Sequence, residues 1–162
     1  MNFSSLLVIL FLALWPLSSG AKTFLLSRSL GGETAFEFKI KNNLGLGLSH
    51  FGLTKRGNEG ATLRYRESRL SILHTDFSEK TSYGVFYALL SESGYDCSLV
   101  CEEPNMSGHR WGAFERFNWI WDSGLGLILQ LELNNVKKYF SSKSDELQFL
   151  NFDIGLKVAY VF

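Results

Sequence analysis

The chain has 162 residues, room for one domain, and its 16 basic and 16 acidic residues leave no net formal charge. That balance excludes a nucleic-acid footprint built on excess Lys and Arg. Glycine (15 residues) and aromatics (15%) are plentiful, prolines number two, and helical periodicity is scarce after the first twenty residues, so most of the chain reads as β.

The first stretch, MNFSSLLVILFLALWPLSSGAKT, reads as a targeting segment. Leu6 to Leu17 form an apolar core of signal h-region length, too short to span a bilayer. Ser19 and Ala21 supply small residues at the −3 and −1 positions, which predicts cleavage between Ala21 and Lys22. The n-region departs from the usual pattern in holding no Lys or Arg, and no cysteine near the cleavage site points to a lipoprotein. The expected division is a signal peptide over 1–21 and one domain over 22–162.

Eight strands are expected in that domain, at 23–30, 34–41, 44–54, 61–74, 81–91, 109–121, 124–134 and 148–162. Strand 23–30 has the least regular pattern, because Arg28 interrupts it. In AFEFKIK, Phe36, Phe38 and Ile40 share one face and Glu37, Lys39 and Lys41 the other. LGLGLS sets Leu44, Leu46 and Leu48 against Gly45, Gly47 and Ser49. SYGVFYALL sets Tyr83, Val85, Tyr87 and Leu89 against Gly84, Phe86, Ala88 and Leu90. GLGLILQLEL alternates Leu125 through Leu133 with Gly126, Ile128, Gln130 and Glu132, and the final strand carries Phe152, Ile154, Leu156, Val158, Tyr160 and Phe162 on one face. A period of two is a strand with one apolar face. The connections at 42–43, 76–80 and 122–123 read as tight turns, and those at 55–60, 92–108 and 135–147 as longer loops. The short connection 31–33 breaks that alternation.

Periodicity alone does not say which face is inside. A soluble barrel would turn its leucines inward. Three features favour the inverse. The glycine-rich face suits the crowded interior of an eight-stranded barrel. Aromatic residues gather at strand ends, where Trp119 and Trp121 flank the Asp122 turn as an interfacial girdle. The terminal strand ends on an aromatic ring. The energetics agree, since a Lys facing lipid at the midplane costs roughly 2–4 kcal/mol. An inward charged face instead lets Glu37, Lys39, Lys41, Arg64, Arg66, Arg116, Glu132, Asp153 and Lys157 form a lumen network of both signs. The expected fold is an all-β, eight-stranded antiparallel up-and-down transmembrane barrel. Its lumen is plugged by its own side chains, with the tight turns on the side of the termini.

The ending KVAYVF, with Tyr160 and Phe162, resembles the C-terminal insertion signal of bacterial outer-membrane proteins. RFNWIWDSGLGLILQLEL resembles the small outer-membrane barrels of the OmpA/OmpX-like type. The resemblance covers most of the mature chain in pattern and these two stretches in motif. It implies a location in the outer membrane of a Gram-negative cell envelope, among lipid and lipopolysaccharide, with insertion by the barrel-assembly machinery. It does not imply an activity.

The pair in YDCSLVCEEPNMSG, Cys97 and Cys101, is expected to close a small disulfide loop in an exported chain. Half of a metal site is the competing reading, and no second Cys or His pair at ligand spacing accompanies it. His50, His74 and His109 are the candidate catalytic histidines. A lipid A-modifying enzyme would use a His with a Ser and a carboxylate, for which Ser49, His50 and Glu59 are the candidates. Ser49 and His50 are adjacent on a strand and point to opposite faces, and Phe51-Gly52 stands where a deacylase-like pattern has Ser-Asn. His74 beside Asp76 reads as a turn residue and His109 as an exposed one. No phosphate loop, zinc signature or nucleophile elbow appears. The sequence therefore points to a monomeric barrel without catalytic, cofactor or metal residues, in a structural or surface-interaction role. A small passive, porin-like channel is the alternative, ahead of the lipid A enzyme.

Overall fold

The computed structural model describes residues 24–41, 43–56, 62–75, 80–95, 106–140 and 146–162. The expected signal segment 1–21 and the expected Cys97–Cys101 pair lie outside them, as do Glu59 and Asp76. Eight strands run β1 (Phe24–Ser29), β2 (Thr34–Lys41), β3 (Leu44–Arg56), β4 (Thr62–His74), β5 (Thr81–Tyr95), β6 (Met106–Ile120), β7 (Leu125–Phe140) and β8 (Glu146–Val161). Each pairs antiparallel with the next, and β8 closes on β1. The result is a closed barrel, with no helix among the described residues.

The register fixes its shape. From Val158 on β8, cross-strand partners lead through Arg28, Thr34, His50, Ser68, Leu89, His109 and Lys137 back to β8 at Gln148. One circuit therefore climbs ten residues along β8. A shear of ten on eight strands tilts them about 40° to the axis. At that tilt each residue rises about 2.5 Å along the axis, from a strand rise of about 3.3 Å.

The alternation of burial matches the pleat. Gly45, Gly47, Ser71, Leu73, Phe86, Ala88, Phe114, Ile128 and Ala159 point inward, whereas Leu70, Ile72, Val85, Leu133, Ile154 and Val158 are exposed on the outside. Leu73, Phe86, Ala88 and Phe114 make one interior cluster. Leu25, Ile128, Ala159 and Val161 make another. A Cβ on Gly84 would collide with the Ile72 carbonyl and the Phe114 ring, so the small residue here is what lets a phenylalanine occupy the lumen. Three of the described turns use left-handed backbone: Gly32 sits at φ +97°, Asn43 at φ 63° and Gly124 at φ +84°, conformations that suit Asn and Gly.

Two features differ from the sequence reading. First, the long strands reach further, with β5 running to Tyr95, β6 starting at Met106, β7 running to Phe140 and β8 starting at Glu146. Segments 92–108 and 135–147 are therefore partly wall. The apolar signal stops at Leu133 because the strands stand beyond the apolar belt, where polar pairs replace it. Lys138 reaches Glu92 at 3.2 Å across the mouth, and Lys137 meets Glu146 at 2.6 Å on the outside. Second, β1 and β2 are only 6 and 8 residues long, against 13 to 16 for the others. β1 pairs with β8 only over Lys157–Val161, and β2 with β3 only as far as His50. Above the 30–33 turn, β8 from 146 to 155 and β3 from 51 to 56 have no strand beside them on that edge among the described residues. The wall has a notch two strands wide.

Candidate functional site: the lumen charge network and its lateral opening

Arg69 is the centre of the interior. Its guanidinium grips both oxygens of Glu132 (Nη1 at 2.8 and 3.0 Å) and donates to Glu67 Oε1 through Nη2 and Nε at 3.1 and 3.3 Å. It lies 4.0 Å from the Phe86 ring centroid, so charge pairing and cation–π contact hold one side chain from opposite sides. Arg110 donates to the same Glu67 oxygen at 2.7 Å and to Asp153 Oδ2 at 3.1 Å. Tyr65 gives its hydroxyl proton to Glu67 Oε2 at 2.9 Å, and Asn134 donates to Asp153 at 3.0 Å. Four strands, β4, β6, β7 and β8, are thereby tied across the lumen. Nearer the Trp119 end, Arg116 pairs with Glu37 at 2.5 Å, donates to Gln130 at 2.6 Å and stacks on Phe114. Lys157 Nζ lies 2.8 Å from Glu33 Oε2, a contact that joins β8 to the short hairpin's turn.

Of the nine residues expected in this network, Glu37, Arg116, Glu132, Asp153 and Lys157 take part. Lys39 has inward parity and is half-buried. The Lys41 side chain lies outside the described residues. Arg64 and Arg66 do not belong: both are exposed on the outer face, since they share the parity of Leu70 and Ile72. The places assigned to them are held by Tyr65, Glu67 and Arg69. Counting in twos back from Ile72 would have found this. Arg110 carries no signal in the sequence because it stands at the start of the apparent strand 109–121, whereas β6 begins at Met106.

Beside the network lies a cavity of about 660 Å³. Its lining runs from Glu67, Arg69, Arg110 and Glu132 inside the barrel, past Leu30, Gly31 and Glu33 of the turn, to Ile154 and Leu156, whose side chains point outward. The cavity therefore passes through the notch from the lumen to the outer surface. On the Trp119 side of it, Phe114, Ile128 and the Arg116–Glu37 pair fill the bore.

Outside, Trp119, Trp121 and Tyr160 are exposed around one end, with Phe162 edge-on to Tyr160 at 4.7 Å, and Trp111 and Tyr87 stand toward the other. Arg28 and Glu115 face outward within the apolar zone. His74, expected as a turn residue, ends β4, and His109, expected to be exposed, is half-buried. His74 stacks on Tyr83 at 5.0 Å, and His109 sits between Tyr87 and Tyr139 at 5.8 and 5.9 Å. His50 points outward beside Ser68 Oγ at 3.2 Å, whereas Ser49 is buried on the inward face. Among the described residues, no group of three His, Cys, Asp or Glu side chains is placed to hold a metal.

Comparison with known protein families finds no match, and comparison with curated protein sequences finds none either.

Proposed function

We propose that this chain is a small outer-membrane β-barrel in a structural or surface-interaction role, exported by its 1–21 segment and catalysing no reaction. Its partners in this reading are membrane lipid and lipopolysaccharide, with the barrel-assembly machinery engaged during insertion through Tyr160 and Phe162.

The observation that supports it is the outer belt. Leu125 to Leu133 on β7 rise about 20 Å along the axis at a 40° tilt. Leu44–Leu48, Leu70–Ile72, Val85–Leu89 and Phe152–Val158 continue the same band around the wall. In water that band is an exposed apolar surface far larger than monomeric soluble proteins carry. In a bilayer it has the height of a lipid-facing barrel girdle, about 25 Å. The polar outer residues Ser91, Asn135 and Gln148 begin above it.

The protein should sediment with the outer membrane and migrate faster on gels unboiled than boiled, because a closed wall satisfies its backbone bonds and resists detergent. Recovery as a soluble periplasmic monomer would overturn the reading. A conductance step in planar bilayers would instead favour the passive channel.

A further inference from the structure

We propose that the notch is a side door through which a single-chain amphiphile seats an ammonium head in the lumen cavity and leaves its alkyl chain along the outer wall. The inference rests on the membrane reading above.

The position of the notch is the first argument. Its floor is the turn where Leu30 N donates to Leu156 O at 3.2 Å. The outward apolar face of β8 continues upward from there through Ile154, Phe152 and Leu150, about 15 Å further along the axis. The doorway therefore opens beside acyl chains, at a depth where an unpaired sheet edge facing hydrocarbon is strongly disfavoured. Its occupant must offer apolar surface outside and polar atoms within. An amphiphile has both.

The second argument is size and charge. A volume of about 660 Å³ falls in the ordinary range of small-ligand pockets. The lining carries the carboxylates of Glu33, Glu67, Glu132 and Asp153 against the cations of Arg69, Arg110 and Lys157. All three cations are already committed to carboxylates. Four carboxylates against three cations leave the lining one negative charge over, although Arg110 Nε and Lys157 Nζ keep donor capacity of their own, and Asp153, its side chain 40% exposed, is the most accessible of the four carboxylates. That net negative charge, with an accessible carboxylate at Asp153, favours a cationic head over phosphate or sulfate.

The third argument is the sill. Gly155 has inward parity, and a Cβ built on it meets nothing within 4 Å. Leu30, 79% exposed, stands opposite. A large side chain at either place closes the opening without touching the wall's own packing.

The test uses the full mature chain folded into phosphatidylcholine vesicles and a photoreactive dodecylamine, with the matched dodecyl sulfate as its counterpart. Saturable labelling of the peptide spanning residues 146–157 by the amine is expected, with the sulfate about tenfold weaker, the scale of one charge-assisted contact. Gly155→Trp and, independently, Leu30→Trp should each abolish saturable labelling while migration stays heat-modifiable. Labelling that does not saturate, that treats both heads alike, or that survives both tryptophan variants overturns the side door. Failure of the wild-type chain to enter vesicles is a different result and overturns the membrane reading itself.

Discussion

Arg69→Met should destabilise the barrel by about 3–5 kcal/mol, the scale for removing one partner from a buried ion cluster. The methionine keeps the length of the stem and its contact with Phe86, so the change isolates the charge. Glu132, buried on β7, loses both hydrogen bonds it receives from Arg69. Glu67 keeps Arg110 and Tyr65. The uncompensated carboxylate is then Glu132, and a second change should relieve it. Arg69→Met with Glu132→Leu should recover most of the loss, because an intact buried pair and an apolar replacement of similar volume are close in free energy. Urea unfolding of the vesicle-inserted protein, followed by tryptophan emission, would measure both. A single variant within 1 kcal/mol of wild type, or a double variant no better than the single, would remove Arg69 from the centre of the network.

Ile72→Arg separates a lipid-facing wall from a water-facing one. Ile72 is 50% exposed on the outer face, and its cross-strand partners Leu46 and Val85 are apolar and outward as well. By the register it lies near the middle of the belt. In a bilayer an arginine at that depth costs about 2–4 kcal/mol. On a soluble barrel the same exposed substitution stays within about 0.5 kcal/mol and improves solubility. Arg66, two rows above Leu70 on the same face of the same strand, supplies the internal control. Arg66→Ile should change stability little in either setting, since it stands above the belt. A negligible effect of Ile72→Arg on folding into vesicles would make the outer band something other than a lipid contact.

The parity of β2, β3, β5, β7 and β8 was legible because leucine and phenylalanine alternate with glycine and charge over long runs. Closure in order follows from eight such strands joined by short connections. The orientation of β4 was harder to read, because TLRYRESR places arginines on both sides of the alternation and only Leu70 and Ile72, at the far end of the strand, settle the register. The strand extensions were invisible for a related reason. In NVKKYF of β7 and ELQFLN of β8 apolar and polar residues no longer alternate, and period two disappears although the backbone pairing continues. The charge network was legible in kind and only half in membership. Its central arginine draws on Glu67 of its own strand and Glu132 of β7, a pairing that closure creates and no local pattern encodes. The notch followed from the short 31–33 connection, which broke the alternation of loop lengths without revealing that the whole hairpin ends low.

The low hairpin also decides where this cylinder can come apart. β1 meets β8 along Leu25–Ser29 and Lys157–Val161, with one further backbone bond at each end (Leu30 N to Leu156 O, Phe162 N to Phe24 O), a seam about half the length of the joints from β3 round to β8. Those two strips are more than 120 residues apart in the chain, so joining them carries the largest loop-closure entropy of any strand pair. Every other joint links consecutive strands. The seam is therefore the last row to zip during assembly and the first to part under load, and Lys157, reaching from β8 to Glu33 at the top of it, is the latch.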